Sequence, residues 1–508
     1  MNKFLNGLTN DTNIARTENG ALTHTTTRSD LLDMFAMGAA MRKRNDEDVL
    51  LMFRKAFKEN PSYALKCLFY IRDVRGGQGE RRFFRVCMKD LAKNNTEAAM
   101  RNLRHVPEFG RWDDLYVFVG TPLEAAALNF MKEQLALDIQ CKTPSLLAKW
   151  LKSENTSSAE SRRLATITRK AMGMNHKQYR KTLSVLRARI NVLERLMSEN
   201  RWDEIEFDKI PSKAGMIYKN AFARHDLQRA QSEKNIQTYE QFAKDTTKKV
   251  NAKTLYPYEC VSEAVKLMCG YYRSAAMDDT NRLMTNKYWE NLADYFKGAS
   301  LNALAVVDTS ASMRGTPIEV AISLGMYCAE KANGPFAGHY ISFSSRPQLI
   351  RVEGVDFCDK VSRIWKTNLC ENTNIEATFD MLLNTAIRNR CSQDDLPQNI
   401  IIISDMEFDN ARGANRYNWS TGRYESGSSA ETLMEGIARK WAAAGYQMPH
   451  LIFWNVDARQ NNIPMLGNGP ISYVSGFSPS IFQTIMTGKT GYDLMMEKLN
   501  SERYAEIH

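Results

Sequence analysis

The chain has 508 residues, of which 43% are hydrophobic and 25% charged, with a formal net charge of +10. That length exceeds one ordinary core and points to two to four domains in a soluble globular protein. No run approaches the roughly 20 apolar residues of a membrane helix, and nine scattered cysteines without a CxxC pair and seven histidines without HExxH argue against a disulfide framework, a zinc finger and a zinc hydrolase.

Residues 1–27 read as an N-terminal extension. They carry neither an apolar signal core nor an Arg-rich transit pattern, so a cytoplasmic protein is expected. Charge then divides the chain. Residues 1–300 hold 50 Lys and Arg against 36 Asp and Glu, a net +14, while residues 301–508 hold 18 against 22, a net −4. A basic half beside a mildly acidic one suggests a polyanion partner, nucleic acid first; a solvated basic surface is the plainer alternative.

Residues 28–298 read as helix after helix, with short connections such as "VRGGQGE", "VPEFGRWDD" and "VGTPLEA". Leu183, Leu186, Ile190, Leu193 and Met197, at steps of three and four, predict one continuous amphipathic helix. Stacked antiparallel helix pairs are the natural packing. In "RDVRGGQGERR", three glycines fit a tight helix–helix turn, or expose amides to an anion beside Arg75, Arg81 and Arg82. The window 141–190 carries 12 Lys and Arg against only Glu154 and Glu160. Lys149, Arg162, Arg163, Arg169, Lys170, His176, Lys177, Arg180, Lys181 and Arg187 are its candidate RNA contacts, suited to phosphate and sensitive to salt. Further on, Trp202, Ile205, Phe207 and Ile210 read as core, and Pro211–Ser212 as a helix start.

Near Gly298 the pattern changes, and residues 299–508 read as a second domain. "ALAVVD", "HYISFSS", "NIIIISD" and "PHLIFWNV" are short Ile-, Val- and Phe-rich runs, and helical segments lie between them. Alternation of this kind implies an α/β parallel sheet covered on both faces. The polar stretch 407–428 reads as an insertion after a strand. Ligands of an open parallel sheet gather at the carboxyl ends of its strands. Asp308, Ser310 and Ser312 follow one such strand, Asp405 ends another, and Thr373 opens a helix between them. That all-oxygen set suits a hard divalent cation, Mg²⁺ above all.

"DTSAS", Thr373 and Asp405 together resemble the metal-ion-dependent adhesion site of von Willebrand factor type A domains. The resemblance implies that Ser310, Ser312 and Thr373 approach the metal and that Asp308 and Asp405 act directly or through water. "SDMEFD" departs from the pattern, since many members place a glycine after the aspartate; Glu407 or Asp409 shares the role in that case. The order of parts, helical array first and metal-site domain second, resembles the Ro ribonucleoprotein (TROVE-module) family, with HEAT-like repeats closed into a ring by a von Willebrand A domain. "YIRDVRGGQGERR", "KWLKSENTSS", "YRKTLSVLRARINVLERLMS" and "IPSKAG" resemble more closely a family of the same layout in phages, bacteria and plants. The resemblance implies a non-catalytic scaffold that binds small non-coding or misfolded RNA. The alternative is a metal-dependent adaptor that captures an acidic protein partner without RNA. A nuclease is disfavoured, because no general base or second metal cluster can be picked out.

Overall fold

A computed structural model describes residues 13–231, 236–270, 275–297, 301–343, 346–367, 374–409, 432–466 and 470–508, together with the backbone of 415–418 and 423–426. The N-terminal region is mostly helical, and the C-terminal part carries a mixed sheet of six strands. The chain forms two compact units that interleave along the sequence: Met1–Cys67 with Leu255–Arg273 and Leu292–Ser501, and Leu68–Thr254 with Ser274–Asn291 and Glu502–His508.

The first unit opens with a short antiparallel hairpin, β1 (Ile14–Arg16) and β2 (Leu22–His24). Its sheet comprises β3 (Ala303–Asp308), β4 (His339–Phe343), β5 (Gln348–Arg351), β6 (Asn399–Ser404), β9 (His450–Asn455) and β10 (Ile471–Ser475); β7 (Asn415–Asn418) and β8 (Arg423–Ser426) pair separately as an antiparallel hairpin in the predicted insertion. The spatial order is β10-β9-β6-β3-β4-β5, and β5 alone runs antiparallel to its neighbour. Counted along the sheet, this is the 3-2-1-4-5-6 order of a doubly wound fold, whose topological switch point lies between β3 and β6. Ile400 to Ile403 are fully buried, as a strand covered on both faces requires.

Helices supply that cover. Asp30–Met37, capped by the Ser29 hydroxyl on Leu32 N–H, packs on β9 and β10. Thr316–Lys331 packs on β3, β4 and β6 and also on the helix Pro257–Met268, which explains why it is buried nearly all round. Gly325 makes this approach possible, since a Cβ there would meet Val307 Cγ2 at 2.4 Å. Gly325→Val is expected to lower stability by about 1–3 kcal/mol through overpacking, read as a lower urea midpoint; an unchanged midpoint would show that helix and strand separate freely.

The second unit is helical. Phe69 meets Phe84 and Phe109 edge-on, and Tyr504 stacks on Phe109. A further cluster joins Phe207, Phe222, Tyr239 and Phe242. Trp202, Ile205, Phe207 and Ile210 are buried, and a helix begins at Ser212 after Pro211. "RDVRGGQGERR" forms the turn before the helix Arg82–Asn94, and Arg75 donates to the Glu108 carbonyl.

The stripe Leu183–Met197 is not one helix. His176–Arg189 ends, and Leu193–Ser198 begins anew. Asn191 takes the left-handed conformation (φ 51°), and Val192 N–H closes back on the Arg187 carbonyl at 3.1 Å. This is the helix-ending geometry that asparagine tolerates better than most residues. Among the described residues no helix is long and apolar enough to cross a membrane.

Candidate metal centre and basic surfaces

β3 and β6 run side by side with Val307 opposite Ile403, so Asp308 and Ser404 finish level at the switch point. Asp308 Oδ2 accepts from the Ser404 hydroxyl at 2.6 Å, and its Oδ1 accepts from Ser310 N–H at 2.9 Å. Ser310 and Ser312 hydroxyls lie 2.9 Å apart, and Ser312 hydrogen-bonds Asp405. Asp308, Ser310, Ser312 and Asp405 therefore form one cluster. Thr373, the remaining predicted ligand, lies outside the described residues.

Met406 follows Asp405 with φ 65°, a conformation that favours glycine. The Met406 side chain is itself buried. Glu407 is also buried; one of its oxygens accepts from Glu18 N–H at 2.6 Å, and the other has no hydrogen-bond partner among the described residues. Asp409 pairs by backbone with Gly20.

The electrostatics are those of crowded acids. Burial, followed by repulsion from Asp405, pushes Asp308 up to about 7. Burial raises Asp405 as well, against hydrogen bonds and the nearby Arg459 charge. Glu407 is pushed up to about 7, first by burial. Arg459, which sequence reading missed, donates to Asp405 at 2.8 Å and pairs with Glu18 at 2.8 Å. Its only signal was its position just after β9, at the carboxyl edge of the sheet.

The fit to a divalent cation rests on this chemistry. Two buried carboxylates repel each other, two hydroxyls adjoin them, and the Thr309 hydroxyl is buried without a partner among the described residues. Ser310, Ser312, Asp308 and Asp405 would hold the ion, which would supply positive charge to the pair. Among the described residues, no three His, Cys, Asp or Glu side chains group as metal ligands.

The predicted RNA contacts divide in two. Arg187 is tied to the carbonyls of Ala148 and Leu151 and to the Ser153 hydroxyl, each at 2.9 Å. Arg169 and His176 both meet Glu154 at 2.9 Å, and Arg163 pairs with Glu160. Arg162 donates to the carbonyls of Thr156 and Ser157, and the Lys149 ammonium lies over the Trp150 ring. Arg187 and Arg169 are thus held by the fold, whereas Arg162, Arg163 and His176 make these contacts while exposed. Lys170, Lys177 and Lys181 are exposed and have no ion-pair partner among the described residues; Arg180, exposed on the same helix as Lys177 and Lys181, donates to the His176 carbonyl.

A protein of Acanthamoeba polyphaga mimivirus, "Uncharacterized protein L728", is 29% identical over 514 residues, covering 94% of this chain and 85% of its own length. A family model described as "Domain of unknown function (DUF7788)" matches residues 302–506. One described as "Domain of unknown function (DUF2828)" matches 17–165 and 136–300, more than half of the chain. The chain accordingly belongs to the DUF2828 family.

Proposed function

We propose that the protein is a non-catalytic RNA-binding scaffold. The helical unit is read as a HEAT-like array that holds small or misfolded RNA. The sheet unit is read as a von Willebrand A-like domain with a Mg²⁺ site at Asp308, Ser310, Ser312, Thr373 and Asp405. Strand order and the strand-tip oxygens support the second reading. The observation that carries RNA binding is the cationic face of Lys177, Arg180 and Lys181 on one helix, with Lys170 exposed on the helix before it. Lys177 and Lys181 stand four apart on one helix, an arrangement that costs stability unless an anion shares it.

The test is fluorescence anisotropy with a labelled single-stranded oligoribonucleotide. Affinity is expected to fall steeply between about 50 and 200 mM salt, with a slope near 0.7 per phosphate contacted. Reversing all four cations to Glu should abolish binding while leaving the melting temperature close to wild type. Unchanged binding would sink the reading. It would then favour the second one, a metal-dependent adaptor, for which the specific observation is the part played by hydroxyls among the described residues: a cation held by Ser310 and Ser312 beside Asp308 and Asp405 has room for an acidic group from a protein partner.

A further inference from the structure

The helical unit holds a second concentration of charge, made by other side chains than those just described. Arg72, Arg81, Arg85, Arg111 and Lys152 surround two adjacent carboxylates, Asp113 and Asp114. Arg72 is buried and donates twice to Asp114 Oδ2, at 2.9 and 2.6 Å. Arg85 reaches Asp114 Oδ1 at 2.7 Å and Asp113 Oδ2 at 3.1 Å. Arg111 Nε lies 3.0 Å from Asp113 Oδ1, and Lys152 Nζ lies 3.8 Å from Asp113 Oδ2. Five positive charges thus face two negative ones.

Arg81 is the surplus cation. Among the described residues it has no ion pair and no side-chain hydrogen bond, and solvent reaches it. Partial burial and the neighbouring Arg85 and Arg72 charges disfavour its protonated form, and Asp113 and Asp114 offset only part of this. A cluster of like charges in a partly desolvated place is an attractive site for an anion.

The cluster is also built to hold its shape. Arg111 stacks on Trp150, with its Cζ 4.0 Å from the ring centre, and Lys152 lies 5.6 Å from that of Tyr116. Gly110 is pressed against the ion pair: a Cβ there would stand 2.4 Å from Asp114 Oδ2 and 2.9 Å from Arg72 Nε. Above that buried floor, Arg85, Arg111 and Lys152 remain 32%, 23% and 28% exposed.

We propose that Arg81, Arg85, Arg111 and Lys152 form a seat for one phosphate group, with Asp113 and Asp114 holding the cations in place. Guanidinium planes match pairs of phosphate oxygens, and stacking on Trp150 fixes one plane in advance. The seat does not rest on the RNA reading, which concerns other cations. A free phosphate-bearing small molecule and the terminal phosphate of an RNA present the same group.

The experiment is calorimetric titration of the full chain with inorganic phosphate and pyrophosphate, in EDTA so that no metal ion retains them. A parallel titration compares a 5′-phosphorylated oligoribonucleotide with its 5′-hydroxyl twin. Arg81→Gln is the chosen variant, because that side chain holds no part of the ion-pair floor; Lys152→Gln is the second. Each should weaken phosphate binding roughly tenfold or more, Arg81→Lys should recover part of it, and Arg101→Gln, an exposed cation paired with Glu97 and not with Asp113 or Asp114, should change nothing. If Arg81→Gln also removes the preference for the 5′-phosphate, the occupant is an RNA end; if only the inorganic ions are affected, it is a free phosphate compound. Either result supports the seat. No binding of phosphate or pyrophosphate by the wild type, or equal binding by both variants, overturns it, whatever the four-cation variant does to RNA.

Discussion

Metal-free protein is expected to lose stability as the pH rises from about 4 to about 7, and Mg²⁺ is expected to restore it. The carboxyls of Asp308, Asp405 and Glu407 are all raised in the folded chain, with burial as the first cause. The sign follows by linkage. Between the unfolded value near 4 and the raised folded value, the native state binds protons that the unfolded chain has released, so stability falls with pH and stays reduced above it. For Asp308, a carboxyl moved from 3.8 to about 7 corresponds to on the order of 4 kcal/mol between its two forms. A divalent cation reverses the effect by favouring the ionised forms, so the Mg²⁺-dependent rise in melting temperature should be largest at pH 8 and amount to several degrees.

Asp308→Asn sharpens the test. The amide keeps the shape, can still accept from Ser310 N–H, and removes one of two facing charges. Without metal at pH 8 the variant should therefore melt above the wild type, and Mg²⁺ should no longer shift it. A wild-type melting temperature indifferent to both pH and Mg²⁺ would show that the strand-tip acids are not a cation site.

The second large effect belongs to the helical unit. Asp114→Ala should destabilise by about 3–5 kcal/mol, because it strands Arg72 at 1% exposure without its counter-ion. Asp114 also accepts from Arg85 and from Arg111 N–H, so four donors lose their acceptor at once. Burial alone would raise the Asp114 carboxyl, but the Arg72 and Arg85 charges overcome it and hold it below the usual range. Its contribution is accordingly present above the unfolded value and lost as the pH falls through the folded one, opposite in sign to the strand-tip acids. Chemical denaturation at pH 7 measures the loss. Replacing Arg72 and Asp114 together by apolar residues should recover much of it; a single substitution costing under about 1 kcal/mol would mean that water reaches the pair.

The amino-acid sequence by itself determined the elements whose pattern is local. Runs such as "NIIIIS" read as strands because they are short and β-branched, and the structure buries them on both faces; aspartates and serines at their ends are visible without coordinates. β5 and β10 escaped notice for physical reasons. "QLIR" is a short, largely exposed edge strand, and "ISYVS" places buried serines where an apolar run is sought. The latter is buried because the helix Asp30–Met37 covers it, more than 400 residues away in the chain. Only the tertiary structure decided which cations are spent on the fold and which face solvent, since Arg187 and Lys181 carry the same charge and differ in what surrounds them. Only it revealed Arg459 and Glu18 beside the acidic pair, and the arginines gathered on Asp113 and Asp114. Periodicity reports what a residue does to its own helix or strand; a site is made by side chains that meet from distant segments, and no local pattern encodes that meeting.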